Sequence, residues 1–121
     1  MKGGEDLYLM GNAKEALHCV QDLESAHDEL TPSLGVLAIL TENQETTWYV
    51  SVDTSLLDRA EAALVVEFLS DRGSKSEQSR EVLNEHGIVL LSSRGGLDHI
   101  MNDLEALGES QTSLRGKIEL N

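Results

Sequence analysis

The sequence predicts an α+β fold: a small mixed sheet of about three strands, packed by three main helices and a short one. Apolar residues recur at helical spacing in three separate stretches. Two runs rich in β-branched and aromatic residues are joined by a short polar turn. A further apolar run is reached only through helical segments, which suggests a crossover connection.

The first helix is expected over residues 12–30, where Ala13, Ala16, Leu17, Val20, Leu23, His27 and Leu30 make one stripe. Asn12 is a competent cap with Glu15 three residues on, and Thr31-Pro32-Ser33 stops the helix because proline lacks an N–H donor. Ahead of it, Tyr8 to Met10 fits either a short strand or an extra helical turn. Residues 34–41 are nearly all apolar and read as a buried strand. The polar run Glu42-Asn43-Gln44-Glu45 then turns the chain into a second strand over 46–52. These two make a hairpin, with the first strand central and the second half exposed.

A second helix is expected over 55–70, capped by Asp53, Thr54 or Ser55. Leu56, Leu57, Ala60, Ala63, Leu64, Phe68 and Leu69 give it a wide apolar face, and Val65 and Val66 widen it further. Gly73 is a candidate C-terminal cap. A short helix near 76–86, capped by Ser76, leads to a strand over 88–91 and a loop, Ser92 to Gly96. The last main helix covers 97–107, with Leu97, Ile100, Met101, Leu104 and Leu107 on one stripe and Gly108 as its stop. Residues 1–108 read as one globular domain. Residues 109–121 read as a polar C-terminal tail in which Leu114 to Leu120 is a candidate edge strand.

Composition constrains the chemistry. The chain has 121 residues and a formal net charge of -13, from 22 acids against 9 Lys and Arg. Each quarter of the chain is net negative. Binding to nucleic acid or to an anionic membrane needs clustered cations, so both are excluded as expected partners. The aromatic residues are only Tyr8, Trp48, Tyr49 and Phe68, which argues against stacking on bases or flat cofactors. Cys19 is the single cysteine, acids stand where a signal peptide would carry its apolar stretch, and the longest apolar run is Leu34 to Leu40. A cytoplasmic location without a membrane span is the resulting expectation.

Four features invite a functional reading. Ser92, Ser93, Arg94, Gly95 and Gly96 lie between a strand and a helix start, offering hydroxyls, backbone N–H groups and one cation to a phosphate or carboxylate. The common alternative is a plain capped turn, since no phosphate-loop pattern is present. His18 with Asp22, and His99 with Asp103, sit four residues apart and would suit a metal ion if their helices met. In so acidic a chain they read more simply as exposed contacts, and no metal or cofactor is expected. Cys19 adjoins His18, but neighbouring helical residues point about 100° apart and do not form a nucleophile–base pair. Finally, Trp48 and Tyr49, with Val65, Val66 and Phe68 of the second long helix, form a candidate apolar interface.

No Ser–His–Asp, zinc-protease, dinucleotide or paired-cysteine motif occurs, and no catalytic residue is assigned. The leading expectation is a non-enzymatic interaction or regulatory module that binds a protein partner or forms a homodimer. The first alternative is an acidic inhibitor, immunity protein or DNA mimic that blocks a basic surface, supported by charge alone. The second is a small-anion binder using residues 92–96.

Overall fold

A computed structural model of the chain describes residues 4–108. The tail expected over 109–121 and its candidate edge strand lie outside the described residues. The elements, in order, are β1 (Glu5–Met10), α1 (Ala13–Ala26), β2 (Leu34–Thr41), β3 (Thr46–Asp53), α2 (Arg59–Arg72), β4 (Ser74–Lys75), α3 (Arg80–Glu85), β5 (Gly87–Arg94) and α4 (Leu97–Gly108). Short 3-10 turns at Asp28–Ser33 and Thr54–Leu56 precede β2 and α2.

The α+β class holds, but among the described residues the sheet has five strands, all paired antiparallel, in the order β4-β1-β3-β2-β5. Residues 5–10 form a strand because Tyr8 and Met10 point to one apolar core while Leu7 points to another, which a helical turn could not do. This strand pairs with β3 from Glu5↔Asp53 to Met10↔Trp48. The added strand moves β3 from the edge to the centre of the sheet, which corrects the expectation of a half-exposed second hairpin strand. Up to β4, the order β-α-β-β-α-β and the sheet order 4-1-3-2 are those of the ferredoxin-like split β-α-β unit. β5 then extends the sheet beyond β2.

Helix boundaries moved for identifiable reasons. α1 ends at Ala26, and the 3-10 turn with Pro32 inside it still buries Leu30. Asn12 caps α1 as expected by accepting from Glu15 N at 2.9 Å, but the Glu15 carboxylate turns to Gly11 N. α2 begins at Arg59 because Asp58 and Glu61 make a reciprocal capping box. The earlier caps serve the preceding turn instead, where Asp53 accepts from Ser55 N. α3 is six residues long and is capped by Ser79, whereas Ser76 makes a local turn to Gln78.

The sheet separates two cores. On one face α1, α2 and α4 enclose Tyr8, Leu34, Val36, Val50, Val52 and Leu91 with their own Val20, Leu23, Val65, Leu69, Ile100 and Leu104. On the other face Leu7, Leu37, Ile39 and Tyr49 form a small cluster, over which Leu83 of α3 and Val89 of β5 pack. A bulge between Ala38 and Ile39 in the β2–β5 register leaves Leu90 as the extra residue of β5.

Candidate functional site

Residues 92–96 are not one loop. Ser92, Ser93 and Arg94 complete β5, paired to Leu37, Val36 and Gly35. Only Gly95 and Gly96 connect to α4, with φ of 113° and 98°, a backbone that side chains other than glycine's rarely adopt. Both glycine N–H groups donate to Leu34 O, at 2.9 and 3.1 Å. The start of α4 receives an anion from within the chain: Glu24 Oε2 of α1 accepts from Leu97 N at 2.6 Å. The five residues also diverge. Ser93 is buried on the three-helix face, where its hydroxyl has no hydrogen-bond partner among the described residues. Ser92 and Arg94 point to the opposite face.

There they join a cluster that local sequence patterns did not indicate. Arg80, at the start of α3, grips Glu5 of β1 with two bonds, Nε to Oε1 at 3.0 Å and Nη2 to Oε2 at 2.6 Å. Its Nη1 also donates to Ser92 Oγ. Arg94 reaches across the sheet to Asp53 Oδ2 at 3.0 Å and lies 3.5 Å from Glu5 Oε2. Gly35 stands between Arg94 and Ser51 in the register, and a Cβ there would collide with Ser93 O, Ser51 Oγ and Arg94 Cα. The bond to Glu5 raises the Arg80 pKa further above its ordinary value, so this guanidinium stays charged. Two cations and two carboxylates thus tie β1, β3, α3 and β5 together. The shallow cleft beside them, about 400 Å³, is lined by Glu5, Asp6, Leu7 and residues 76–81 and is polar.

The signals for this cluster were present but not local. Glu5 and Arg80 are 75 positions apart, and Asp53 read as a helix cap, which its Oδ1 is while Oδ2 binds Arg94.

The candidate interface residues fall in different places. Trp48 and Tyr49 are 5% and 8% exposed, and Val65 is 1% exposed, so these three are core residues. Pairing of β3 on both sides accounts for the first two, and the packing of α2 onto β1 for the third. Val66 remains exposed, while Phe68 is partly covered, with the Arg72 guanidinium 3.7 Å above its ring. Among the described residues, the strand edge left without a partner is instead the outer edge of β5. This strand is eight residues long and last in the sheet, and Ile88 is 64% exposed on it. The opposite edge, β4, has two residues.

Among the described residues no three His, Cys, Asp or Glu side chains converge as a metal-binding group. Cys19 is buried, with its Sγ 3.8 Å from Met10 Sδ, and burial pushes its thiol pKa up. This is the environment of a packing cysteine rather than of a thiolate nucleophile. No helix among the described residues is long and apolar enough to cross a membrane.

No protein-family model matches the chain, and no curated protein matches it. Among solved structures it is similar to the C-terminal domain of YpbH, with a TM-score of 0.57 and 15% identity, over 84% of this chain and 99% of that one. At that identity the likeness shows the fold alone.

Proposed function

We propose that this chain is a non-enzymatic protein-interaction module that pairs through the outer edge of β5, with a second copy of itself or with a partner's strand. The observation that carries this reading is the asymmetry of the sheet's two ends. One ends in the two-residue β4, the other in an eight-residue strand that pairs with no described strand on its outer side. An uncovered strand edge presents a row of N–H and C=O groups ready to receive another strand. Ile88 adds exposed apolar surface to that row. Blunting with Lys or Pro, the usual protection of an edge, is missing from Gly87 to Ser93.

Sedimentation over a wide concentration range tests the self-pairing form. The expected result is a mass that rises above the 13.2 kDa of one chain, and an Ile88→Lys variant that needs roughly tenfold more protein to do so, because a charge placed on an edge opposes pairing. A single 13.2 kDa species at all concentrations in both proteins would count against it.

A further inference from the structure

We infer that the groove between α1 and α2 receives a basic amphipathic helix of a partner protein. This surface is separate from the β5 edge, because α2 packs over β1 and β4 at the other end of the sheet.

The groove follows from how α2 distributes its apolar residues. They surround much of the helix, yet only Val65 and Leu69 are buried. Leu64 and Phe68 are half-buried and, with Leu23 and Ala26 of α1, line a cavity of about 300 Å³. A second cavity, about 330 Å³, lies along α1 and shares Arg72 with the first. From Glu15 to Ala26 the α1 wall runs about 17 Å, three helical turns.

The charge around this groove selects the occupant. Glu15 and Asp22 of α1 and Glu67 and Asp71 of α2 border it, against one guanidinium, Arg72. Among the described residues, Asp22, Glu67 and Asp71 make no ion pair. Arg72 does not pair with them either. It lies 3.7 Å above the Phe68 ring and donates to Phe68 O at 3.3 Å. An apolar floor is thus ringed by uncompensated negative charge and partly covered by its one cation. The walls are helices whose backbone groups bond within themselves, so a strand finds no ladder to join. A helix satisfies its own backbone and needs only side-chain contacts. Its apolar stripe would rest on Leu64 and Phe68, with Lys or Arg on both flanks meeting the carboxylates.

The probe is a peptide of about four helical turns with Leu at i, i+4 and i+7 and Lys on both flanks. A comparison peptide keeps the Leu stripe and carries Glu in place of Lys. Each is titrated into the full chain while amide resonances are followed. The Lys peptide is expected to shift residues 22–27 and 64–72 selectively and to bind at least roughly tenfold tighter than the Glu peptide, a gap that narrows as salt rises from about 0.05 to about 0.5 M. Glu67→Gln with Asp71→Asn should weaken it about fivefold. Glu81→Gln with Glu85→Gln makes the same change of charge on α3, at the opposite face of the sheet, and should leave the affinity unchanged. Arg72→Ala removes a like charge and uncovers Phe68, so it should tighten binding about threefold. Ile88→Lys should leave the groove shifts as they are, which keeps failure of the groove distinct from failure of edge pairing. Shifts spread over the acidic surface, or equal weakening by the two pairs of acid substitutions, reduce the binding to net charge and overturn the inference. The absence of any shift overturns it as well. So do groove resonances that move with protein concentration alone, which assign the groove to a second copy, and tighter binding of the Glu peptide, which assigns it to an acidic partner.

Discussion

The two faces of the sheet are held by different physics. Three helices press an aliphatic core onto one face, where Val20, Leu23, Val36, Val50 and Leu69 are each at most 1% exposed. The other face carries a handful of apolar side chains under the six-residue α3, and its far end is closed by Arg80, Arg94, Glu5 and Asp53. Apolar burial is proportional to area and cooperative across the core, whereas partly exposed ion pairs contribute little net stability and mainly fix geometry. The difference teaches that the first face buries most of the core, while the second positions α3 and is expected to open first.

The largest test compares a leucine from each core. Leu23→Ala empties a site enclosed by helices and sheet, and is expected to cost about 3 kcal/mol in urea unfolding. Leu37→Ala removes the same atoms from the thin cluster, where α3 can settle into the gap, and is expected to cost about 2 kcal/mol. Equal losses would mean that the second face is packed as rigidly as the first.

Removing the Arg80 side chain tests the same contrast through dynamics. Among the described residues, Arg80→Ala leaves Glu5 with the longer Arg94 contact and removes the Arg80 bond to Ser92 Oγ. The expected loss of global stability is about 1 kcal/mol or less, given the partial exposure of the pair. The amides of α3 should nevertheless exchange several-fold faster while those of α1 do not change. Uniform acceleration in both helices would show that the ion pairs support the whole fold.

How much of this was legible in the sequence follows the same division. The three-helix face is written in local periodicity: the stripe from Ala13 to Leu23 and that of Ile100 and Leu104 are buried where helical spacing placed them. The 34–41/46–52 hairpin also stands, bounded at Leu34–Thr41 and Thr46–Asp53. What was not legible depended on distant pairing. Trp48 and Tyr49 looked half exposed because β1, of which only Tyr8 to Met10 was legible and that ambiguously, covers their strand from the other side. The ion cluster joins positions 5, 53, 80 and 94, and no local pattern links them. Residues 92–96 read as a candidate anion site at a helix start; local pattern could not show that Glu24, on another helix, accepts from Leu97 N there.

Each face also holds a tyrosine, Tyr8 on the helical side and Tyr49 on the other. Burial raises both phenols above their ordinary 10.0, with Asp6 adding to Tyr8, and burial raises Cys19 above 9.0. In the unfolded chain these groups ionise at their ordinary values, so above about pH 9 the unfolded state binds fewer protons than the folded one. Stability is therefore complete below that range and falls as pH rises through it. Tyr8→Phe should flatten this alkaline decline. At neutral pH it should leave stability unchanged or raise it by up to about 1 kcal/mol, because the buried Tyr8 hydroxyl has no hydrogen-bond partner among the described residues. Thermal unfolding of both proteins between pH 7 and 10.5 checks the slope. A steeper decline in Tyr8→Phe would contradict the assignment.

A small, local effect is expected at the join between α1 and α4. Glu24 holds the start of α4 through Leu97 N, so Glu24→Ala should cost about 0.3–1 kcal/mol, the usual worth of an anion at a helix start. The same variant decides what residues 92–96 can bind. Gly95 and Gly96 spend their N–H groups on Leu34 O, and Arg94 is paired with Asp53, so an incoming anion must take the place of the Glu24 carboxylate. Inorganic phosphate titrated into Glu24→Ala should therefore shift the Gly96 and Leu97 amide resonances at lower concentration than in the native chain. If phosphate shifts them equally in both proteins, the anion enters without displacing Glu24 and contacts the chain elsewhere in residues 92–96. If it shifts them in neither, the start of α4 serves only to hold α1 and α4 together.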